Sequence, residues 1–252
     1  MFKSMSAPRA GLVLVAAFGC FHLLAWPASR WFAARDGAGE MLYPAIAAGL
    51  LIVLPWIVSQ ALTNATRALY TRGDLDLLQA SPIAPRVIFA ARAISIAVES
   101  IGSVAVFVLP VANMNAVFGG AHWLAVYPAL VAAGLFGAAL GLTLTLALTT
   151  LIGPRRMRLV AQVVATLVGA AFALGLQAIN IVAPETRRWL FDMAANPPAG
   201  SLFDHSGWLW LPVRAFAGEP ESLALWMGVS LALFVAVALG LGARLGRAAI
   251  LA

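Results

Sequence analysis

Residues 123–152 read WLAVYPALVAAGLFGAALGLTLTLALTTLI, a run without a single charged side chain. An α-helix rises 1.5 Å per residue, so about 20 apolar residues cross the roughly 30 Å of bilayer hydrocarbon. Lipid offers the backbone no hydrogen-bond partners, so a run of this length and polarity reads as a membrane-spanning helix. Working outward, five further apolar runs occur near 10–26, 41–62, 87–111, 159–183 and 222–242. Together they predict an all-α membrane protein with six transmembrane helices, forming a single transmembrane domain over 1–252.

Composition agrees with this reading and narrows it. Of the 252 residues 62% are hydrophobic and 10% charged, where soluble domains carry about 25% charged residues. Sixteen Lys+Arg face ten Asp+Glu for a formal charge of +6, and the one lysine is Lys3. P-loop and Schiff-base chemistry each need a positioned lysine, which the spans and loops lack. The arginines are scattered between apolar runs rather than gathered on one polar face, which excludes nucleic acid as a partner. Cys20 alone permits no internal disulfide. His22, His122 and His205 stand in different surroundings and predict no metal site. Asp204-His205-Ser206 are neighbours in a loop, whereas a catalytic triad converges from separate parts of a fold.

Cations set the orientation, because Lys and Arg are retained on the cytoplasmic side. With a cytoplasmic N-terminus the inner segments hold Lys3, Arg9, Arg67, Arg72, Arg86, Arg155, Arg156, Arg158, Arg244 and Arg247. The outer segments hold Arg30, Arg35, Arg187, Arg188 and Arg214. Both termini are therefore read as cytoplasmic. Trp26, Trp31, Trp123, Trp189, Trp208, Trp210 and Trp226 fall near or beyond span ends assigned outside, where amphipathic rings sit at headgroup level. Lys3, Arg9 and the short first run also fit a secretory signal peptide, but Pro27-Ala28-Ser29 is a poor cleavage site. Between spans five and six, Trp189, Leu190, Trp208 and Leu209 predict short interfacial helices, broken at Asn196-Pro197-Pro198. A loop packed on top of the bundle is the alternative.

Between spans two and three the chain reads Arg72-Gly73-Asp74-Leu75-Asp76-Leu77-Leu78-Gln79-Ala80-Ser81-Pro82. Gly73 permits a tight turn, Asp74 can cap the free N–H groups that follow, and Asp76 sits at the positive end of the helix dipole. Leu75, Leu77 and Leu78 supply an apolar stripe, and Ser81-Pro82 ends it. The grammar is that of a short amphipathic helix. It resembles the cytoplasmic coupling motif of ABC-2 type transporter permeases, in which a charged turn, a Gly, a short Leu-rich helix and Ser-Pro precede the third span. That family commonly has a Glu before the Gly, where this chain has Thr71 and Arg72. The family is similar also in its six spans, cytoplasmic termini and long extracytoplasmic insertion before the last span.

The resemblance implies an exporter subunit in the cell's inner (plasma) membrane, working as a homodimer or with a second permease half. Its short helix would sit in a groove of a separate ABC ATPase subunit, coupling through Arg72, Gly73, Asp74, Leu75, Asp76, Leu77, Leu78, Ser81 and Pro82. The chain has no Gly-x-x-x-x-Gly-Lys-Ser/Thr, so ATP hydrolysis falls to the partner, and no cofactor or catalytic residue is expected here. The chain stops soon after span six, which fits a whole subunit or the first half of a two-bundle permease.

Inside the spans, Glu99 is a carboxylate at a depth where a charge costs several kcal/mol unless paired, protonated or wet. Arg92 lies two helical turns earlier, about 10 Å along the axis. Glu99 is read either as a substrate-path or proton-carrying group or as a carboxyl bonded to a neighbouring helix. Gly134, Gly137 and Gly141 in span four, and Gly169 with Ala165 and Ala173 in span five, predict faces of close helix contact. Two other functions fit the same residues: an ion-coupled secondary transporter using Glu99, and a non-transporting membrane scaffold or assembly subunit.

Overall fold

The computed structural model describes residues 7–35, 42–70, 84–152 and 182–250, together with single positions between 159 and 177. The elements are α1 (Ala7–Arg35), α2 (Leu42–Tyr70), α3 (Pro85–Gly119), a 3-10 turn (Ala121–Ala125) and α4 (Val126–Ile152). After them come α5 (Pro184–Ala195), a second 3-10 turn (Trp208–Trp210), α6 (Leu211–Phe216) and α7 (Pro220–Ile250). No strand occurs among the described residues. Five helices, α1, α2, α3, α4 and α7, are long and apolar enough to cross a membrane. The chain is an all-α, multi-pass membrane protein. About half of the predicted span 159–183, including Gly169, lies outside the described residues, as does all of 71–83 with the whole Arg72–Pro82 motif. Of the described positions in 159–183, Val164 packs with Leu148 against Leu62.

Several helices outrun the apolar runs that predicted them. The first run stops at Trp26 and the third at Val111, yet α1 continues through Pro27 to Arg35 and α3 through Pro110 to Gly119. Proline removes one backbone donor and crowds the preceding turn, but neighbouring helices hold the rest of the ladder in place, and Pro110 is fully buried.

α3 is the mast of the bundle, packing on α1, α2, α4 and α7. α4 is apolar on every side and 61% of its most apolar stretch is buried, against 6% for α1. α4 is thus core, and α1 is a strut applied to α3. α2 and α4 approach closely at Gly137 and Gly141, which lie buried against α2, whereas Gly134 is buried against α3. A Cβ on Gly141 would stand 2.8 Å from both the Ala61 carbonyl carbon and the Leu62 nitrogen, so the backbones touch. One on Gly137 would overlap Ile57 Cγ2, and one on Gly134 would overlap Ile101. Three hydroxyls in this apolar interior are satisfied within their own helices: Thr66, Ser100 and Thr145 donate to the carbonyls of Leu62, Ile96 and Gly141 at 2.7–2.8 Å, whereas the buried Ser230 hydroxyl has no partner among the described residues.

α1 and α3 end, and α2, α4 and α7 begin, at the same end of the bundle. The 184–219 segment caps that end. α6 buries Leu211, Val213, Ala215 and Phe216 against α7, α4 and α2, so this part of the insertion is core. Gly218, at φ +90°, turns the chain into α7 where a Cβ would meet the His122 carbonyl oxygen at 2.9 Å. Three of the tryptophans expected in an interfacial belt are also core. Trp123, Trp210 and Trp226 are buried, with the Trp210 indole N–H donating to Leu202 O at 2.9 Å and that of Trp226 to Ala129 O at 3.4 Å. Trp26, Trp31, Trp189 and Trp208 keep their rings on the surface.

Candidate functional site

The capped half of the bundle collects the polar groups and the empty space. α1 is zipped onto α3 and the first 3-10 turn by edge-on aromatic pairs, Phe21 with Phe107 at 4.7 Å, Trp26 with Phe118 at 5.4 Å and Phe32 with Trp123 at 6.1 Å. Between them runs a polar chain across three helices. His22 Nδ1 lies 2.8 Å from Phe18 O, Asn113 Nδ2 lies 3.1 Å from His22 Nε2, and Tyr127 Oη donates to Asn113 Oδ1 at 2.7 Å. A carbonyl only accepts, so Nδ1 carries the imidazole proton and Nε2 accepts from the Asn113 amide. The neutral ring thus satisfies both of its nitrogens.

Beside this seam, α1, α2 and α3 leave a cavity of about 630 Å³. Trp31, Phe32, Phe107, Trp123 and Phe216 supply rings to its wall, and Ser29 and Asn115 are its polar residues. Both are buried, at 3% and 7% exposure. Across α2 a second space of about 750 Å³ runs beneath α5 and the second 3-10 turn, lined by Ala47, Leu51, Leu54, Leu190 and Leu209 together with Arg187. α2 therefore stands as a wall between two apolar spaces.

The cap is fastened by charge. Glu219, just ahead of α7, accepts from the Tyr43 hydroxyl at the start of α2 and from Ser222 Oγ at 2.8 Å, and lies 3.9 Å from Arg214 Nε of α6. Arg214 also donates to Ser206 O at 3.2 Å. His205 packs between Tyr43 and Trp210, ring centroids 4.9 and 4.4 Å away, with Nε2 2.9 Å from Ala194 O. Ser206 Oγ donates to Asp204 at 2.8 Å, so the Asp204-His205-Ser206 run serves the turn and forms no nucleophile relay.

The Gly200 N–H first, then the Ser206 N–H and hydroxyl, hold the Asp204 carboxyl down to about 2. A depressed folded value means that the carboxylate's contribution to the turn is complete above the ordinary value of 3.8 and lost as pH falls through about 2. Carbon-13 titration of Asp204 is expected to show a midpoint near 2, and the Ser206 amide resonance should move with it. An ordinary midpoint would show that the turn is not closed in solution.

The residues singled out in the sequence do not gather here. Glu99 is on the exposed side of α3, nearer its other end, and no hydrogen bond joins it to a neighbouring helix among the described residues. A long 3.5 Å contact comes from Ser95 Oγ, one turn earlier on α3. Arg92 is half-buried on α3. The three α4 glycines are structural, and Gly169 and Arg72–Pro82 lie outside the described residues. His22, Asn113 and Tyr127, and the Ser29–Asn115 cavity, escaped the sequence reading. Two asparagines in three positions of an apolar run, Asn113 and Asn115, were the available signal. No protein-family model, curated protein or solved structure matches the chain.

Proposed function

We propose that the chain is the membrane-embedded permease subunit of an ABC-2 type exporter, with the capped end facing outward and a separate ATPase engaging the Arg72–Pro82 segment on the cytoplasmic side. The observation that carries this reading is an uncharged cavity at the capped end of the bundle, taken together with the Leu-rich sequence between α2 and α3 that resembles a coupling motif. A six-pass count is supported by parity. α4 leaves the capped end at Val126, and α5 and α6 sit at that end again before α7 departs, so the chain between them has to return once. The single described positions at 159–177 are helical, in keeping with such a return. The cationic ends at Arg67, Arg86 and Arg244 then fall on the cytoplasmic side of an inner membrane.

Capture of the intact protein in mild detergent is expected to bring an ABC ATPase with it. Asp74→Pro, which removes the cap and a backbone donor, and Leu77→Asp, which charges the apolar stripe, should each reduce that association at least tenfold. An intact protein that brings no ATPase would overturn the reading. A second reading, proton-coupled transport through Glu99, is favoured by one observation: the carboxylate stands on the outside of the bundle with no group of another described helix bonded to it. Transport lost in Glu99→Gln but unaffected by Leu77→Asp would select it.

A further inference from the structure

We infer that the cavity between α1, α2 and α3 is a binding site for an uncharged amphiphile, a molecule with an apolar body and one hydroxyl, ester or amide group. Its volume, about 630 Å³, is in the range of roughly 300–1,000 Å³ typical of small-molecule sites. None of the residues lining it is charged, so a ligand bearing a charge into it would lose its hydration without gaining an ion pair. Asn115 is 7% exposed and lines the cavity, and its carboxamide makes no hydrogen bond among the described residues yet is not sealed off from the open space beside it. A ligand that covered this carboxamide without bonding it would incur the cost of a buried unmade hydrogen bond, about 1–3 kcal/mol. A ligand group that both donates and accepts would meet that need.

The cavity has a polar end and an apolar end. Asn115 and Ser29 are close to the capped ends of α3 and α1, whereas Phe107 and Val53 lie deeper; Phe107 to Asn115 is about 12 Å along α3. With the capped end outward, that polarity has the same sense as the outer leaflet, head up and tail down. A molecule of this class entering sideways from lipid would not have to invert. Identifying it as the exported substrate rests on the permease reading; its binding does not.

Gly49 supplies the test. It lines the cavity, and a Cβ added there meets nothing within 4 Å, so a larger side chain grows into the empty space without displacing the bundle. Gly102 is equally open but does not line the cavity, and serves as control. The probes are a long-chain alcohol carrying a diazirine near its end and the alkyl sulfonate of the same length. Each is photolysed with the protein in nanodiscs without ATPase, and labelled peptides are mapped by mass spectrometry.

The alcohol is expected to label lining residues such as Phe107 and Val111 saturably. Asn115→Leu should weaken this about tenfold, Gly49→Phe should abolish it, and Gly102→Leu should leave it unchanged. Labelling confined to lipid-facing residues, labelling indifferent to Gly49→Phe and Asn115→Leu, or equal labelling by the sulfonate would each overturn the inference. Because no ATPase is present, failure of the coupling assignment leaves this result standing, and failure here leaves coupling untouched.

Discussion

Gly141→Ala is expected to destabilise the bundle more than the same change at Gly137 or Gly134, although all three add one methyl group. At Gly141 the new carbon meets backbone, the Ala61 carbonyl carbon and the Leu62 nitrogen at 2.8 Å, and backbone can yield only by moving α2 away from α4. At Gly137 it meets the branched Ile57 side chain, whose rotamers are few. At Gly134 it meets Cγ1 and Cδ1 of Ile101, again a β-branched side chain but with no backbone atom among its near contacts. Overpacking costs about 1–3 kcal/mol, and Gly141→Ala belongs at or above the top of that range, because the seam it opens also aligns Ala61, Ala65, Ala138 and Leu142. Denaturant titration in detergent measures the series. Gly102→Ala and Gly228→Ala, where a Cβ meets nothing, are the comparison and should stabilise by up to about 1 kcal/mol through helix propensity. A flat series would mean that α2 and α4 are not in backbone contact.

Glu219→Ala is the second large effect. One carboxylate ties the start of α2, the short α6 and the start of α7 through Tyr43, Arg214 and Ser222. Its removal orphans the Tyr43 hydroxyl and leaves Arg214 Nε, which is buried and has no hydrogen-bond partner, without its counter-ion. Side-chain exposures of 22% for Arg214 and 37% for Glu219 screen the ion pair, so the loss comes mainly from the hydrogen bonds, about 1–3 kcal/mol. The damage should be local. Faster hydrogen exchange over 207–219, with the α2–α4 seam unchanged, is the expected pattern; uniform loosening of the whole bundle would contradict it.

Much of this architecture was legible because lipid imposes one strong rule on a chain: apolar for about 20 residues, helical throughout. Trp123–Ile152 announced α4, and the Gly137-to-Gly141 spacing marked the side of α4 that meets α2. Helix ends were harder to place. The apolar runs end at Trp26 and Val111, but α1 and α3 continue to Arg35 and Gly119, where contacts with neighbouring elements rather than apolar composition hold the helix. The cavity was illegible for a different reason. Ser29, Gly49 and Asn115 come from three helices, and no periodicity relates residues whose meeting depends on where α1 leans against α3. His22 and Asn113, likewise, are ninety-one positions apart. The 184–221 insertion, read as short interfacial helices or a loop packed on the bundle, divides: α6 is buried in the bundle, whereas Trp189 and Trp208 are exposed.

That α1 leans chiefly on α3 has a consequence for how the protein is made. α1 leaves the ribosome long before α3, and in that interval it has only lipid around it. His22 would then be a bare imidazole in hydrocarbon, except that its Nδ1–H already reaches Phe18 O one turn back in the same helix. The bond that needs no partner forms first, and Asn113 completes the ring's second nitrogen when it arrives.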